Sequence, residues 1–417
     1  MNLWNETKSI PVSQEMIWSA YKKVKANKGS AGVDSVSMEE FETNKSKHLY
    51  KLWNRMSSGS YFPPPVKEVE ILKKDGKMRK LGIPTISDRI GQMVIKDFIE
   101  PRMENVFSPS SYGYRPNKNA HQALASVRAN CWQTDWVIDL DIKGFFDNID
   151  HEKLMLAVNK HVPENWVRMY IVRWLEMPVQ LKSGVLEHRQ GKGTPQGGVI
   201  SPLLANLYLH YALDKWLELT NPTLKFARYA DDAIIHCKNK EQAEYLLRQL
   251  NARMKLCGLE LHPDKTKVVY CKDRRRRGKY EIVKFDFLGY SFQPRTTLCK
   301  KTSKLFLGFD CAISINSRKR IADKLEEIKV EKLSFRSIVG VAHYLNPMIR
   351  GWVNYYGKFR KSELMKVFQL LRKRIVRWAR MRYKRYKTKL NLAYRWYERI
   401  KKQFPYLFYH WQVGLTC

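Results

Sequence analysis

Paired cysteines are missing from this chain. The seven it has (Cys131, Cys237, Cys257, Cys271, Cys299, Cys311 and Cys417) are scattered and odd in number, and no two form a C-x-x-C. That pattern excludes a disulfide framework and a zinc ribbon, and it fits a reducing compartment. Long apolar runs are missing too. The N-terminus, MNLWNETKSIPVSQ, has no basic stretch followed by an apolar one, and no window reads as a membrane span. No internal repeat occurs, and Arg274–Arg277 is the single low-complexity stretch. Acidic residues are scarce: 40 Asp and Glu face 76 Lys and Arg, a net charge of +36 over 417 residues. A neutral or acidic housekeeping fold is thereby excluded and a polyanionic partner indicated. Apolar residues at 44% and aromatics at 12% exclude a disordered basic tail and leave a folded, cytoplasmic, nucleic-acid-associated protein.

The charge is uneven. Residues 300–417 hold 29 Lys and Arg against 7 Asp and Glu, a net of +22, and the first 299 residues carry the other +14. Contact with phosphate is the expected task of that C-terminal third. Between Lys358 and Lys402 its cations interleave with Trp378, Tyr383, Tyr386, Tyr394, Trp396 and Tyr397. Such rings either stack on unpaired bases or form a core beneath a charged surface. A mixture is expected, with Trp352, Trp378 and Trp396 inside.

The pattern of elements predicts an α+β region followed by an α-helical one. Residues 1–62 read as helical with a loop at Asn27–Asp34. Asp75–Gly76 is a two-residue turn signal between apolar runs, so a β-hairpin is expected around Lys73–Lys80, ending at Pro84. A helix should follow from a Ser87 or Asp88 cap. Trp136–Leu140 reads as a strand and Asp150–Asn159 as a helix. Gly191–Gly198 is a loop before a long apolar helix over Val199–Leu219. Phe226–Tyr229 and Ala233–His236 flank a tight turn, and a helix over Lys240–Leu256 stops at Gly258. Phe285–Phe292 reads as a short strand pair, and helices dominate after Ile315. The domains expected are 1–65, an N-terminal extension; 66–295, the mixed region; and 296–417, the basic helical region.

Two acidic segments run against the charge. In Tyr229-Ala-Asp-Asp232, adjacent carboxylates sit between apolar strands. They form either an exposed hairpin tip or a cation site, because two like charges in a half-buried turn repel without a metal. In Asp139-Leu-Asp141, the two carboxylates share one strand face, which suits ligation of a hard cation by oxygen. Two aspartate-bearing strand ends far apart in sequence match a two-metal phosphoryl-transfer site.

With these segments in view, the chain resembles the group II intron-encoded reverse transcriptases. Eight blocks follow in the family's order: Arg79–Arg89 (RKLGIPTISDR); Ser111–Pro116 (SYGYRP) running on to Leu124; Asp139–His151; Gly193–Gly198 (GTPQGG) with Ile200–Asn206; Tyr229–Asp232 (YADD); Gly258–Lys267 (GLELHPDKTK); Phe285–Phe292; and Arg350–Tyr356 (RGWVNYY). Together they span roughly residues 10–415. The resemblance implies a right-hand polymerase, with fingers and palm followed by a helical thumb or maturase domain, in a bacterial cytoplasm. It implies RNA-templated DNA synthesis with two Mg²⁺, for which Mn²⁺ could substitute, held by Asp141, Asp231 and Asp232. Asp139 is left in a supporting place. Phe145 matches a steric gate against the 2′-hydroxyl. Lys73 and Arg79 would face the triphosphate, Gln196 the nucleotide or template, and Lys265 the triphosphate or primer. Arg115 either contacts template or fastens its own loop. Arg350, Lys358, Arg374, Arg377 and Lys384 are candidates for contact with template and intron RNA. His121 and His151 read as structural. The implied partners are an RNA template, structured intron RNA, a DNA primer or target and dNTPs; monomer and homodimer both stay open.

No His-Asn-His endonuclease with paired cysteines follows Tyr397, so second-strand cleavage by this chain is not expected. Three alternatives stand beside this reading. A splicing-only maturase would not require three carboxylates near a polyanion. A domesticated reverse transcriptase in defence or DNA repair differs in what flanks the gene. An RNA-dependent RNA polymerase, disfavoured by Phe145, differs in the nucleotide it incorporates.

Overall fold

The computed structural model describes residues 10–72, 78–298, 303–335 and 337–416. The chain forms two compact units. The first comprises residues 1–119, 138–235 and 241–267, and the second residues 120–137, 236–240 and 268–417. The architecture is α+β, as the element pattern predicts.

The first unit opens with α1 (Gln14–Ala26), α2 (Met38–Thr43) and α3 (Lys45–Ser57). Ser37 and Glu40 close a capping box at the start of α2, satisfying two backbone N–H groups reciprocally. Strands β1 (Val66–Leu72) and β2 (Met78–Ile83) pair antiparallel, with Ile71 opposite Arg79. The predicted hairpin is therefore present; its Asp75–Gly76 turn and Lys73 lie outside the described residues. Helix α4 (Ile86–Glu104) starts two or three residues earlier than a Ser87 or Asp88 cap would place it. Thr85 is the cap, its hydroxyl accepting from the Asp88 amide at 3.2 Å. Asp88 instead sits inside the first turn, fully buried.

Next in the chain come α5 (Ala120–Cys131), which belongs to the second unit, then β3 (Trp136–Asp141), α6 (Phe145–Asn148), α7 (His151–His161, capped by Asp150) and α8 (Asn165–Glu176). Strands β4 (Val179–Gln180) and β5 (Leu186–Glu187) were not foreseen: two-residue strands are too short to show an apolar alternation. They extend the hairpin sheet in the order β2-β1-β4-β5. The predicted long helix after Gly198 is present, with one π-helical turn inside it. It runs as α9 (Ser201–Leu209), a π-helical turn (His210–Asp214) and α10 (Lys215–Thr220). Then follow β6 (Lys225–Tyr229), β7 (Asp232–Cys237) and α11 (Lys240–Leu256), with β6, β7 and β3 side by side in that order.

In the second unit, after β8 (Lys267–Tyr270), strands β9 (Phe285–Phe287), β10 (Tyr290–Leu298) and β11 (Leu305–Ile313) form an antiparallel sheet. Helices α12 (Ile315–Ile328), α13 (Ile338–Tyr356), α14 (Met365–Arg382), α15 (Leu390–Gln403) and α16 (Tyr409–Gln412) complete it. Their shared core holds Phe368, Leu371, Trp378, Trp396, Tyr397 and Trp411, each large ring stabilising by about 1.5–3 kcal/mol through burial. Trp352 and Tyr383 are half-buried against it. The rings interleaved with cations are thus mostly core, while Arg350, Lys358, Arg377 and Lys384 face solvent. Among the described residues, no helix is long and apolar enough to cross a membrane.

Candidate active site

The site is built in the first unit around the turn between β6 and β7. Ala230 takes a left-handed backbone, φ +56°, which is uncommon for a residue with a Cβ. Something must hold it there, and Arg228 does. This guanidinium is fully buried and bonded on all sides. Its Nε and Nη2 donate to the Asp214 carboxylate at 2.7 and 2.5 Å, and its Nη1 donates to Asn206 Oδ1 at 2.9 Å and to the Ala230 carbonyl at 3.0 Å. Asp214 comes from the π-helical turn, whose extra residue brings its side chain inward to a fully buried position.

The Ser111–Pro116 block braces the same turn. The Arg228 amide donates to Ser110 O at 2.9 Å, and the Tyr112 amide donates to Arg228 O at 2.8 Å. Asn206 donates to Gly113 O at 2.8 Å. A Cβ on Gly113 would lie 2.4 Å from the Ala230 nitrogen, so glycine is required for this backbone contact. None of Arg228, Asp214, Asn206 or Gly113 was singled out from sequence. The signals were an arginine in an apolar strand and a glycine between two tyrosines.

The turn presents Asp231 half-exposed and Asp232 exposed at the start of β7. On the neighbouring strand, Asp141 ends β3, its side chain 24% exposed, with Lys265 Nζ 3.4 Å from its Oδ2. Its carbonyl accepts from the His262 amide at 2.8 Å. Asp139 occupies the same face two residues earlier. An all-carboxylate donor set with an ammonium beside one member is the chemistry a divalent hard cation fits. Among the described residues, no three His, Cys, Asp or Glu side chains already form a metal cage.

Phe145 is buried at the start of α6, its ring centroid 5.4 Å from Phe146 and 6.5 Å from Tyr208. The Gly193–Gly198 loop is laced to this element and to β2. The Thr194 amide donates to Phe146 O at 2.8 Å, and the Gly82 amide to Gln196 O at 2.9 Å. Gly197 (φ +128°) lies so near Gly82 that a Cβ would meet its carbonyl at 2.5 Å. The Gln196 amide is 3.3 Å from both Asp147 oxygens. A cleft of about 640 Å³ opens here, lined by Lys80, Gly82, Asp147, Arg189, Lys192 and Gln196. Behind the loop, Gln92 Oε1 accepts from the Val199 amide at 2.7 Å, and its amide donates to Asp88 at 2.8 Å. Asp88 also accepts from Trp174 (2.7 Å) and Tyr61 (2.9 Å). Burial nonetheless raises its carboxyl to about 6, against these opposing hydrogen bonds.

Other predicted residues fall elsewhere. Arg115 is fastened inside its loop, held by Glu104 through Nη2 at 2.9 Å and by Ser108 O and Ser111 O at 2.6 and 2.9 Å. The β2 backbone carries Arg79. His151 bonds Gly193 O at 2.7 Å, a structural contact. In the second unit, His121 bonds Tyr355 O at 2.8 Å, also a structural contact. Arg374 is 12% exposed and tied to Glu331 at 3.2 Å; Arg350 lies over the Tyr409 ring at 5.0 Å.

Residues 71–309 match the family described as reverse transcriptase (RNA-dependent DNA polymerase), and residues 318–396 match the group II intron maturase-specific domain. The chain is similar to the group II intron-encoded protein LtrA of Lactococcus lactis subsp. cremoris, with 28% identity over 82% of this chain and 69% of that one. It is also similar to protein YkfC of Escherichia coli K12, with 31% identity over 58% of this chain and 73% of that one. Maturase-like protein 1 of Euglena gracilis is 23% identical over 79% of this chain and 64% of its own length. RNA and DNA are the partners these two domains imply. The chain belongs to the reverse transcriptase family, as an RNA-directed DNA polymerase of the group II intron type that carries the maturase-specific domain.

Proposed function

We propose that Asp141, Asp231 and Asp232 form the reaction centre for copying RNA into DNA. The observation that carries this is the braced turn: a buried Arg228 holds the Ala230 carbonyl, so two carboxylates project beside the strand that ends in Asp141. These three side chains would hold two Mg²⁺, or Mn²⁺ in their place. When bound, the ions supply charge neutralisation at the α-phosphate and at the leaving pyrophosphate. The primer 3′-hydroxyl oxygen bonds to the α-phosphorus of the dNTP and releases its proton to water, while the bond from that phosphorus to the oxygen bridging to the β-phosphate breaks and pyrophosphate leaves with those electrons. Lys265 pairs with Asp141 until substrate arrives, then turns to the triphosphate or primer.

Phe145 forms the floor under the sugar and excludes a 2′-hydroxyl by bulk. Gln196 approaches the nucleotide or template from its glycine loop, whose cleft with Lys80, Arg189 and Lys192 accepts triphosphate charge. Lys73 and Arg79 would supply further positive charge to the triphosphate. Arg350, Lys358, Arg377 and Lys384, exposed on the second unit, contact template and structured intron RNA, which assists splicing and mobility. Arg374 stays with its glutamates, and Arg115 with Glu104.

Primer extension on a heteropolymeric RNA template tests the reading. Wild type extends with dNTPs, and Asp231→Ala does not; extension by that variant would refute the assignment.

A further inference from the structure

We propose that the second unit carries a separate pocket for an unpaired RNA nucleotide, built by Trp132 and the Arg274–Arg277 run. The proposal rests on the RNA-binding reading above and goes beyond it, because this pocket belongs neither to the reaction centre nor to the helical basic region.

Four adjacent arginines repel one another, and the structure resolves only one of them internally. Arg276 turns inward, where it pairs with Asp273 at 2.5 Å and donates to the Cys131 carbonyl at 2.9 Å. Asp273 also accepts from the Arg275 and Arg276 amides at 2.8 and 2.9 Å, so the loop is fixed. Arg274, Arg275 and Arg277 are left pointing to solvent, and among the described residues none of them pairs with a carboxylate. Arg274 and Arg275, both on the lining of the adjoining cavity, present two unneutralised guanidiniums as a binding edge for phosphate.

The other wall is a held aromatic. Trp132 is 53% exposed, a large apolar surface to leave in water, yet it is not loose. Its indole N–H donates to Phe309 O at 2.8 Å, and the Arg128 guanidinium covers the ring at 4.6 Å. Arg128 is in turn fixed by Asp310 at 2.6 Å. Between the two walls lies a cavity of about 650 Å³, with Phe306 and Asp135 also on its lining. A ring fixed before binding loses little entropy when a base stacks on it. Cations beside it suit the adjoining phosphates, and the half-exposed Asp135 can accept from a base edge. RNA loops supply splayed bases of this kind, whereas duplex does not.

The test uses a stem-loop RNA with 2-aminopurine at successive loop positions, and a blunt RNA duplex of equal length. Binding of the loop to the full chain should quench one position. Trp132→Ala should abolish that quench and weaken the loop about tenfold while leaving the duplex unchanged. Trp132→Phe, which keeps a ring, should retain most of the affinity. Arg274→Ala with Arg275→Ala should reduce the slope of log affinity against log salt by about 1.4. Extension of oligo(dT) on poly(rA) should be unaltered in all three, so the pocket can fail while the polymerase assignment stands. Quenching that persists in Trp132→Ala overturns the proposal. So does equal loss of loop and duplex, or displacement by polyglutamate as readily as by the stem-loop.

Discussion

Replacing Asp214 by Asn removes one charge from a pair that water does not reach. Both side chains are 0% exposed, and Arg228 would be left buried without its counter-ion. Breaking such a pair costs about 3–5 kcal/mol, a large part of a domain's stability. The more informative variant replaces both partners, Arg228→Met with Asp214→Leu. Apolar replacement of a buried pair recovers most of the lost stability. It does not restore the donor to the Ala230 carbonyl, so the left-handed residue before Asp231 is no longer held. A displacement of about 1 Å at a reacting group costs on the order of 10²-fold in rate. Thermal unfolding and single-turnover dNTP addition, measured on the same preparations, separate the two effects. Asp214→Asn should lose both stability and rate; the double variant should regain stability and stay slow. A double variant that adds dNTP at the wild-type rate would refute the claim that Arg228 positions the catalytic turn.

Three further outcomes follow. Phe145→Ala should lower the preference for dNTP over rNTP by about 10–200-fold, read from competitive incorporation, with primer binding unchanged. Replacing Arg377 and Lys384 by Ala should lower the salt slope of duplex binding by about 0.9 per residue without altering turnover at saturating template. Asp88 governs a pH dependence. Its folded carboxyl titrates near 6 against an ordinary 3.8, so the folded state holds that proton more tightly than the unfolded chain. The corresponding stability is complete below pH 3.8 and is lost as pH rises through 6, by about 3 kcal/mol. Asp88→Asn should flatten unfolding midpoints across that window; an unchanged pH profile would show that Asp88 is not the group responsible.

Motif-rich parts of the site were legible because their chemistry is local. Two aspartates between apolar runs, or a Gly-Thr-Pro-Gln-Gly-Gly loop, carry their meaning within a few residues. The hairpin, the strands about the Ala230 turn and the switch to helices after Ile315 follow from period and turn residues in the same way. What escaped was long-range. Nothing near Arg228 says that Asp214 will face it, because the register is set by a π-helical turn that no proline or glycine marks. Asp88 reads as a helix cap from its neighbours, yet Thr85 takes that place and Asp88 is drawn inward by Trp174, Tyr61 and Gln92. For Arg115 both a template contact and a loop-fastening role were open from the sequence; what was not legible was its partner, Glu104, eleven residues earlier.

The dependence of single-dNTP addition on Mg²⁺ concentration tests the central claim most directly. With Asp141→Asn, Asp231→Asn and Asp232→Asn compared under single-turnover conditions, each variant should need far more Mg²⁺ than wild type and fall short of its maximal rate, while still binding the RNA–DNA duplex. Wild-type rate and Mg²⁺ dependence in Asp141→Asn or Asp231→Asn would contradict the account.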